Sequence, residues 1–402
     1  MRKVKQLISF FLFTVILFSS QLMYSQVTTS AINGTVVDQN GNALPGANVI
    51  VVHISSGTQY GTSTRPDGKF NLLGLRVGGP YKVTVSMVGY TSQVEEGLTL
   101  GLGQNLKIDF KLPETTIELK GVTVTAERSA ILSAGRTGAA TAISKEAIDV
   151  LPTINRRIED VARLTPQYSP AGFGYSFAGV DNRLNNMTID GSYFNNSFGL
   201  AGQPGDRTGV SPISLDAIEQ VQVNIAPYDV RQGNFVGAGI NAVTKSGTNE
   251  ISGSAYYNYR HQGLVGTKAK DNVFNPGTFK YDLVGARLGG PIIQNKLFFF
   301  VSFEDDKTIQ PGTTYRANLG GETVGGNITR VLASDLDALS GFLQSKFNYA
   351  TGAYQGYDFE IPSTRFLAKL DFNLNDKNKI SVRYTQLDSK TDVLMSTSPS
   401  LG

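Results

Sequence analysis

Polar and apolar residues alternate along several stretches in the second half of the chain. Each stretch would place its apolar side chains on one face of an extended strand. The clearest lie at 251–260, 365–374 and 379–385, and two less regular ones lie at 279–288 and 296–303. Only Leu367 interrupts the second of these. The pattern predicts five strands, each with one apolar face.

The connections between these five strands differ in length in a regular way. In chain order they are long, short, long and short, at 261–278, 289–295, 305–363 and 375–378. Strands of about ten residues with short turns at one end and long loops at the other are typical of outer-membrane β-barrels, whose short turns are periplasmic. A soluble β-sandwich with one buried face gives the same alternation of residues, but it explains the regular change between long and short connections less well.

The stretch before these strands, 128–247, mixes helical and strand signals. A helix capped by Ser144 is predicted to end at Val150, and a second is predicted from near Asn155 to Thr165. Ser211 followed by Pro212 predicts a third helix start. Strict alternation over 220–225 then predicts a half-buried strand, and a glycine-rich turn leads to another strand at 240–244.

Residues 27–113 contain short strands separated by strong turn signals. Asp67-Gly68 between apolar runs is a hairpin signal, and the spacing predicts a sandwich of about seven strands. His53 lies within a strand, so a packed or solvent-facing histidine is favoured over a catalytic one. Asp38 begins a calcium-like pattern, but Ala43 stands where the glycine is required, which favours an ordinary Asx turn.

The N-terminus has the layout of a secretory signal peptide. Basic residues precede an apolar run at 7–18, and cleavage is expected near Ser25, which assigns residues 1–25 to the leader. A transmembrane helix needs about 20 apolar residues, more than this run provides. The mature protein is therefore expected to be exported.

Composition excludes several classes of function. The 402 residues carry a net charge of +3, two histidines and no cysteine. Disulfides and thiolate metal sites are thereby excluded, and the scattered basic residues form no nucleic-acid patch. No catalytic triad, phosphate-binding loop or pair of carboxylates is apparent. We therefore predict that the chain is not an enzyme and needs no metal or cofactor.

Two motifs in the 128–247 unit carry a family resemblance. The order DAIEQVQV, proline, glycine-rich turn, GINAVTKSG resembles the end of the plug domain of TonB-dependent outer-membrane receptors. Matching positions upstream lie within FAGVDNRLNNMTIDG and are Gly179, Arg183, Asp190 and Gly191. The chain departs from the family pattern at Ala178, at Ala226 before Pro227, and at Gln232-Gly233.

The first unit resembles a different family. The pattern GTVVD, LPGANV, PDGKF and VGY within 27–113 is similar to the carboxypeptidase-regulatory-like domain, which has a carbohydrate-binding-like fold. The resemblance implies an accessory module without peptidase activity.

The segment 114–127 links the two units. By resemblance it contains a TonB box, which would add as a strand to the periplasmic partner TonB. The proposed residues are Val122, Thr123, Val124, Thr125 and Ala126. The alternative is that this β-branched run is the first strand of the following domain.

The resemblance also suggests where a ligand and partners would bind. Apical plug loops in the family contact the ligand, so the candidates are Tyr193, Phe194, Asn195, Asn196 and Phe198. The alternative is a flexible loop that binds nothing. An oligosaccharide or a peptide is the expected ligand, outer-membrane lipid surrounds the barrel, and a surface lipoprotein is a further possible partner.

The predicted architecture is therefore mainly β. It comprises a signal peptide, a small β-sandwich, an α+β plug and, at 248–402, the first strands of a truncated 22-stranded barrel. Five strands cannot close, so this chain is expected to be a fragment unable to insert by itself. The predicted function is TonB-dependent uptake across the outer membrane. The alternative is a secreted glycan-binding or adhesive β protein.

Overall fold

The computed structural model describes residues 28–115, 122–125 and 138–393, apart from 154, 171–173, 228, 230, 231, 271, 274–276, 314, 376 and 377. The predicted leader at 1–25 and residue Ala126 lie outside the described residues. Three units follow one another: a sandwich at 28–115, a middle unit at 138–247 and a large C-terminal sheet.

The sandwich contains eight strands, close to the seven predicted. They are β1 (Ser30–Asp38), β2 (Asn48–His53), β3 (Thr58–Ser63), β4 (Lys69–Leu75), β5 (Gly78–Ser86), β6 (Gln93–Leu100), β7 (Asn105–Lys107) and β8 (Phe110–Leu112). One sheet has the order β4-β1-β7, with β8 also paired to β1, and the other begins β3-β2-β5-β6. Alternate apolar side chains from both sheets form one core, which includes Ile32, Val51, Tyr81 and Leu112.

His53 is packed inside the sandwich, which is one of the two alternatives predicted for it. It is 4% exposed, its Nδ1 lies 2.7 Å from Ser56 Oγ, and its ring meets the Tyr81 ring edge to face. Burial, with a smaller effect of Arg76, lowers the pKa of His53 to about 3. Asp38 accepts hydrogen bonds from the backbone N–H groups of Asn40 and Asn42, which is the predicted Asx turn.

The middle unit mixes short helices with a five-stranded sheet. Its elements are β10 (Gly138–Ser144), α1 (Lys145–Val150), α2 (Ile158–Ala162), β11 (Tyr168–Pro170), β12 (Tyr175–Phe177), β13 (Asn186–Ile189), β14 (Ser192–Tyr193), β15 (Ile218–Pro227) and β16 (Gly239–Thr244). The sheet order is β10-β15-β16-β13-β14, so β10 is an edge strand. The predicted α1 is present with Ser144 at its N-cap position, but the Ser144 side chain makes no capping hydrogen bond. The second helix, α2, begins at Ile158 rather than near Asn155.

Two predictions in the middle unit are wrong. No helix begins at Ser211; its buried hydroxyl donates to Ile213 O and lies 3.5 Å from the Ile158 amide, and only a short 3-10 turn follows at Leu215–Ala217. The strand β15 is not half-buried, because Gln220 and Asn224 on its polar face are 6% and 2% exposed. Gln220 is covered because the sandwich packs against it, and its side-chain oxygen accepts a hydrogen bond from the backbone N–H of Leu102 at 2.9 Å.

The C-terminal sheet is an antiparallel meander of the five predicted strands. They are β17 (Ser252–His261), β20 (Lys280–Ile293), β21 (Leu297–Pro311), β24 (Asp358–Asn373) and β25 (Lys379–Ser389), in the sheet order β17-β20-β21-β24-β25. Smaller elements lie in the long loops: β18 (Lys268–Ala269), β19 (Asn272–Val273), β22 (Arg316–Asn318), β23 (Ile328–Leu332) and α3 (Ala333–Phe347). Within the described residues the sheet is open, with β17 and β25 at its edges.

Four of these strands, all except β17, are longer than the alternation predicts. The ladder between β21 and β24 continues without a break from Leu297–Phe372 to Pro311–Asp358, so the long loop begins only at 312. The short connections are 294–296 and 374–378, and the long ones are 262–279 and 312–357. In the part of the chain that the structure describes, no helix has the length and apolar character needed to cross a membrane.

The buried His53 predicts a specific loss of stability in mild acid. Its folded pKa of about 3 lies below the ordinary value, so the unfolded chain binds a proton that the folded sandwich excludes. Stability is therefore full above pH 6.5 and falls as the pH drops toward 3. At about 1.4 kcal/mol per pH unit, we expect His53 to contribute a loss of about 2 kcal/mol between pH 6.5 and 5.

Urea unfolding of a fragment spanning 27–115 at several pH values measures this. The control is His53→Gln, which cannot titrate and can still bond to Ser56. Parallel pH profiles for the two proteins would contradict the prediction.

Candidate functional site

The C-terminal sheet has apolar side chains on its open face, whereas its covered face carries charged side chains together with buried apolar ones such as Phe298 and Phe300. On the open face Leu370, Val382 and Tyr384 are 46%, 62% and 57% exposed. On the face covered by the middle unit Glu304 and Arg365 are 1% and 5% exposed. A soluble sandwich buries its apolar face, so this polarity is the reverse of the soluble alternative and is that of a sheet whose outer face meets lipid.

The charges on the covered face are neutralised in clusters, the first around Arg365. Its guanidinium lies 2.7 Å from Glu304 and also bonds to Asp306. Glu304 in turn accepts hydrogen bonds from Tyr256 and, at 2.7 Å, from Ser214 of the middle unit. The cluster therefore joins β17, β21 and β24 to the start of the short turn that precedes β15.

A second cluster is centred on Asp216 of the middle unit. Its carboxylate lies 3.0 Å from Arg287 of β20 and 3.5 Å from Lys245, and it accepts a hydrogen bond from Ser254 of β17. Burial raises the pKa of Asp216, but Ser254, Lys245 and Arg287 outweigh burial and leave the pKa below its ordinary value. Asp216 is therefore ionised and holds two sheet strands.

A third cluster involves Asp190, one of the residues that carried the family resemblance. Asp190 lies 3.4 Å from Lys369 of β24 and 3.0 Å from Arg383 of β25, and it accepts hydrogen bonds from the amide and hydroxyl of Thr244. Burial raises its pKa, but Lys369, Thr244 and Arg383 outweigh burial and hold it below the ordinary value. Asp190 has a φ of 46° and begins a tight turn with Gly191.

Sequence reasoning identified one side of these clusters only. Arg365 and Lys369 were assigned to the polar face of a strand, but their partners in the middle unit were not predicted. The available signal was the repeated placement of charged residues on the polar face of β21 and β24, because charges facing the inside of a barrel need partners.

The predicted ligand residues separate into two groups in the structure. Tyr193 and Phe198 are 51% and 87% exposed. Phe194 packs against the core of the middle unit. Asn195 bonds through its side chain to Met187 N and to the Asn186 side chain. The Asn196 side chain accepts a hydrogen bond from the Phe198 amide. Of the five candidates, Tyr193 and Phe198 therefore have the most exposed side chains.

The predicted TonB-box residues 122–125 form a strand, β9 (Val122–Thr125). It does not begin the middle unit. It pairs in parallel with β6, with Gln93 opposite Val122 and Glu96 opposite Thr125, and so extends the second sheet of the sandwich to β3-β2-β5-β6-β9. One edge of the backbone of β9 is thus already paired within the chain.

No metal site is found in the described ranges, where His, Asp and Glu side chains do not assemble in groups of three or more that could hold an ion.

We expect Asp190→Ala to weaken the attachment of the middle unit to the C-terminal sheet. The change leaves Lys369 and Arg383 without their carboxylate, and removing one partner of a buried ion pair costs about 3–5 kcal/mol. The urea midpoint of the middle unit in the full-length protein, followed by a fluorescent label on that unit, measures this. The exposed Glu250→Ala is the matched control; equal midpoints for both variants would show that the cluster is not stabilising.

The pairing of β9 with β6 is testable because the 402 residues contain no cysteine. Val94 is directly opposite Thr123, so Val94→Cys with Thr123→Cys is expected to crosslink rapidly under mild oxidation. In the control, Thr84→Cys replaces Val94→Cys; Thr84 is opposite Val94 on β5, two strands or about 10 Å from Thr123. Equal crosslinking of both pairs in intact membranes would contradict the pairing.

Comparisons with known proteins agree with this architecture. Residues 31–113 match the carboxypeptidase regulatory-like domain, and residues 243–401 match an outer membrane beta barrel domain. The TonB-dependent transporter Oar of Myxococcus xanthus is 26% identical over 317 residues, which are 72% of this chain and 28% of that protein.

Solved structures give a weaker likeness. The siderophore receptor PirA of Acinetobacter baumannii has a TM-score of 0.43 at 16% identity, over 63% of this chain and 32% of that one. The outer membrane transporter YddB of Escherichia coli has a TM-score of 0.43 at 14% identity, over 63% and 33%.

The chain thus spans about a third or less of the length of the relatives it matches. Its outer-membrane β-barrel domain places it in the outer membrane. Together the matches confirm the resemblance drawn from the sequence, which is to TonB-dependent outer-membrane receptors with an N-terminal carboxypeptidase regulatory-like domain.

Proposed function

We propose that this chain is part of a TonB-dependent transporter that takes up a ligand across the outer membrane. In this proposal the middle unit, within 128–247, is the plug, and the C-terminal sheet, within 248–402, is part of the barrel wall around it. The observation that carries the proposal is the polarity of that sheet: its open face is apolar, and its charged side chains lie on the face covered by the middle unit, which pairs several of them. The relative from Myxococcus xanthus, a TonB-dependent transporter by name, supports the same function.

The two ends of the C-terminal sheet support one orientation in the membrane. At the short-turn end the sandwich lies nearby, since Arg76 forms an ion pair with Asp371. At the opposite end the loop that follows β14 contacts β25, since Thr208 bonds to Ser389 at 2.9 Å. We place the sandwich and linker in the periplasm and the Tyr193–Phe198 loop toward the outside, where it can meet a ligand.

We propose an oligosaccharide or a peptide as the ligand. The exposed groups in this loop are the rings of Tyr193 and Phe198 beside backbone and amide groups. Aromatic faces stack on sugars and apolar side chains, and a few polar groups then fix orientation. The transporter makes and breaks no bond in its ligand; it couples binding outside to a pull on the linker, residues 114–127, by TonB in the periplasm.

A surface lipoprotein partner is a further part of the proposal. The loop at 312–357 carries α3, on which Leu339, Phe342 and Phe347 are 53%, 51% and 68% exposed. Exposed apolar side chains on a loop at the outer end of the barrel suit a protein partner that covers them.

Deleting residues 122–126 from the full-length protein tests the proposal. Growth on an oligosaccharide mixture or a peptide digest as sole nutrient should fall to that of cells lacking the protein, while surface binding of the labelled mixture persists. The control removes the same number of residues from an outer loop, 266–270. Growth unaffected by the first deletion would favour the adhesive alternative instead.

A further inference from the structure

The sandwich is seated on the short-turn end of the C-terminal sheet. Arg76, between β4 and β5, lies 3.1 Å from the carboxylate of Asp371 on β24. Two residues further along that strand, Asn373 donates a hydrogen bond to Thr58 at 2.9 Å. Both sheet residues lie beside the turn at 374–378, so the sandwich is fixed to the end of β24.

The contact surface between the sandwich and the C-terminal sheet, here called the seat, also includes residues at the ends of β25 and β17. The Lys379 ammonium, at the start of β25, lies 3.7 Å from the centre of the Tyr60 ring. Near the start of β17, the Asn249 amide donates to Ser55 O at 2.9 Å. The contacts therefore reach from the first strand of the sheet to the last, a geometry that a domain swinging on a flexible linker would not have.

The linker joins this seated domain to the middle unit, and its two attachments differ in strength. On the sandwich side it leaves from β8, whose Phe110 and Leu112 are 6% and 0% exposed in the core. On the other side it enters β10, an edge strand with small residues at 139–142 and one buried side chain, Ile143. Removing β8 from its place breaks a core, whereas removing β10 breaks mainly one ladder of backbone hydrogen bonds.

The direction of the load further weakens the attachment of β10 to β15 when the linker is pulled. Its entry residue Gly138 is opposite Pro227, and the ladder with β15 has a register irregularity between Ala139 and Ala140. A load applied at Gly138 acts on the end of the ladder, so the pairs open one after another rather than all together. On the sandwich side the linker is also fastened by hydrogen bonds of Pro113 and Thr115 to the loop before β6.

We propose that the sandwich is the fixed anchor of the linker, so that a pull on Val122–Thr125 is delivered to β10 and peels it from β15. This rests on the proposed function in one respect, that TonB supplies the pull. TonB thus binds a segment that is attached at both ends. The contacts between the sandwich and the C-terminal sheet determine which attachment breaks first.

Single-molecule pulling on the full-length protein in a lipid bilayer tests the anchor. A DNA handle is ligated to a short tag inserted after Ala126, so the measurement does not require TonB to bind. Ala142→Cys with Gln222→Cys, a register pair of β10 and β15, locks the plug end. Val37→Cys with Lys111→Cys, a register pair of β1 and β8, is the matched lock on the sandwich end.

Release of β9 from β6 gives a short extension in every variant, because β9 lies next to the handle. The expected result is loss of the next extension event with the β10–β15 lock and no change in it with the β1–β8 lock. The anchor is overturned if the β1–β8 lock removes that event, or if neither lock does. Failure of TonB to bind 122–126 would instead count against the proposed function and leave this result intact.

The seat itself is tested by reversing its charges. Arg76→Glu and Asp371→Arg should each lengthen the extension reached before β10 is released, because the sandwich leaves the sheet first. The double variant restores an ion pair of opposite sense and should return the wild-type trace. Wild-type traces from both single variants would show that the sandwich is not held by this seat.

Discussion

The buried charges on the covered face of the C-terminal sheet are the constraint on which the rest of the structure depends. Glu304 and Arg365 lie on that face, where an unpaired ion would cost several kcal/mol. Arg365 is paired with Glu304 and Asp306 within the sheet, and Ser214 of the middle unit adds a hydrogen bond to Glu304. The other cations of this face are paired by the middle unit, since Asp216 binds Arg287 and Asp190 binds Arg383. The wall and the unit that it covers are therefore stable together in a way that neither would be alone.

The same constraint explains which parts of the fold could be read from the sequence. Alternation of apolar and polar residues depends only on the two faces of a strand. All five large strands, and the order of long and short connections between them, could therefore be predicted. Leu367 interrupts the alternation because it packs on Ala217 of the middle unit and Phe300. The ends of β21 and β24 were missed because their paired ladder continues beyond the residues that alternate between apolar and polar. No change in residue type marks where the ladder stops.

Errors elsewhere arose where a local signal met a tertiary partner. Ser211 and Pro212 have the chemistry of a helix start, yet the Ser211 hydroxyl is used between α2 and the following turn. Gln220 was assigned to a solvent face that the sandwich covers. In the apical loop, Asn195 is a polar residue of the kind that binds ligands, but its amide is used to hold β13. A single sequence does not show which polar group already has a partner.

The position of β9 has a consequence for the cell as well as for the linker. β6 would otherwise be the last strand of its sheet, with a row of unpaired N–H and C=O groups, and such edges recruit strands from other molecules. While β9 lies along it, that edge is sealed by the chain itself. Under the proposed function, a pull on the linker also removes the sealing strand, so the transporter would expose during each cycle a strand edge that the same chain covers at rest.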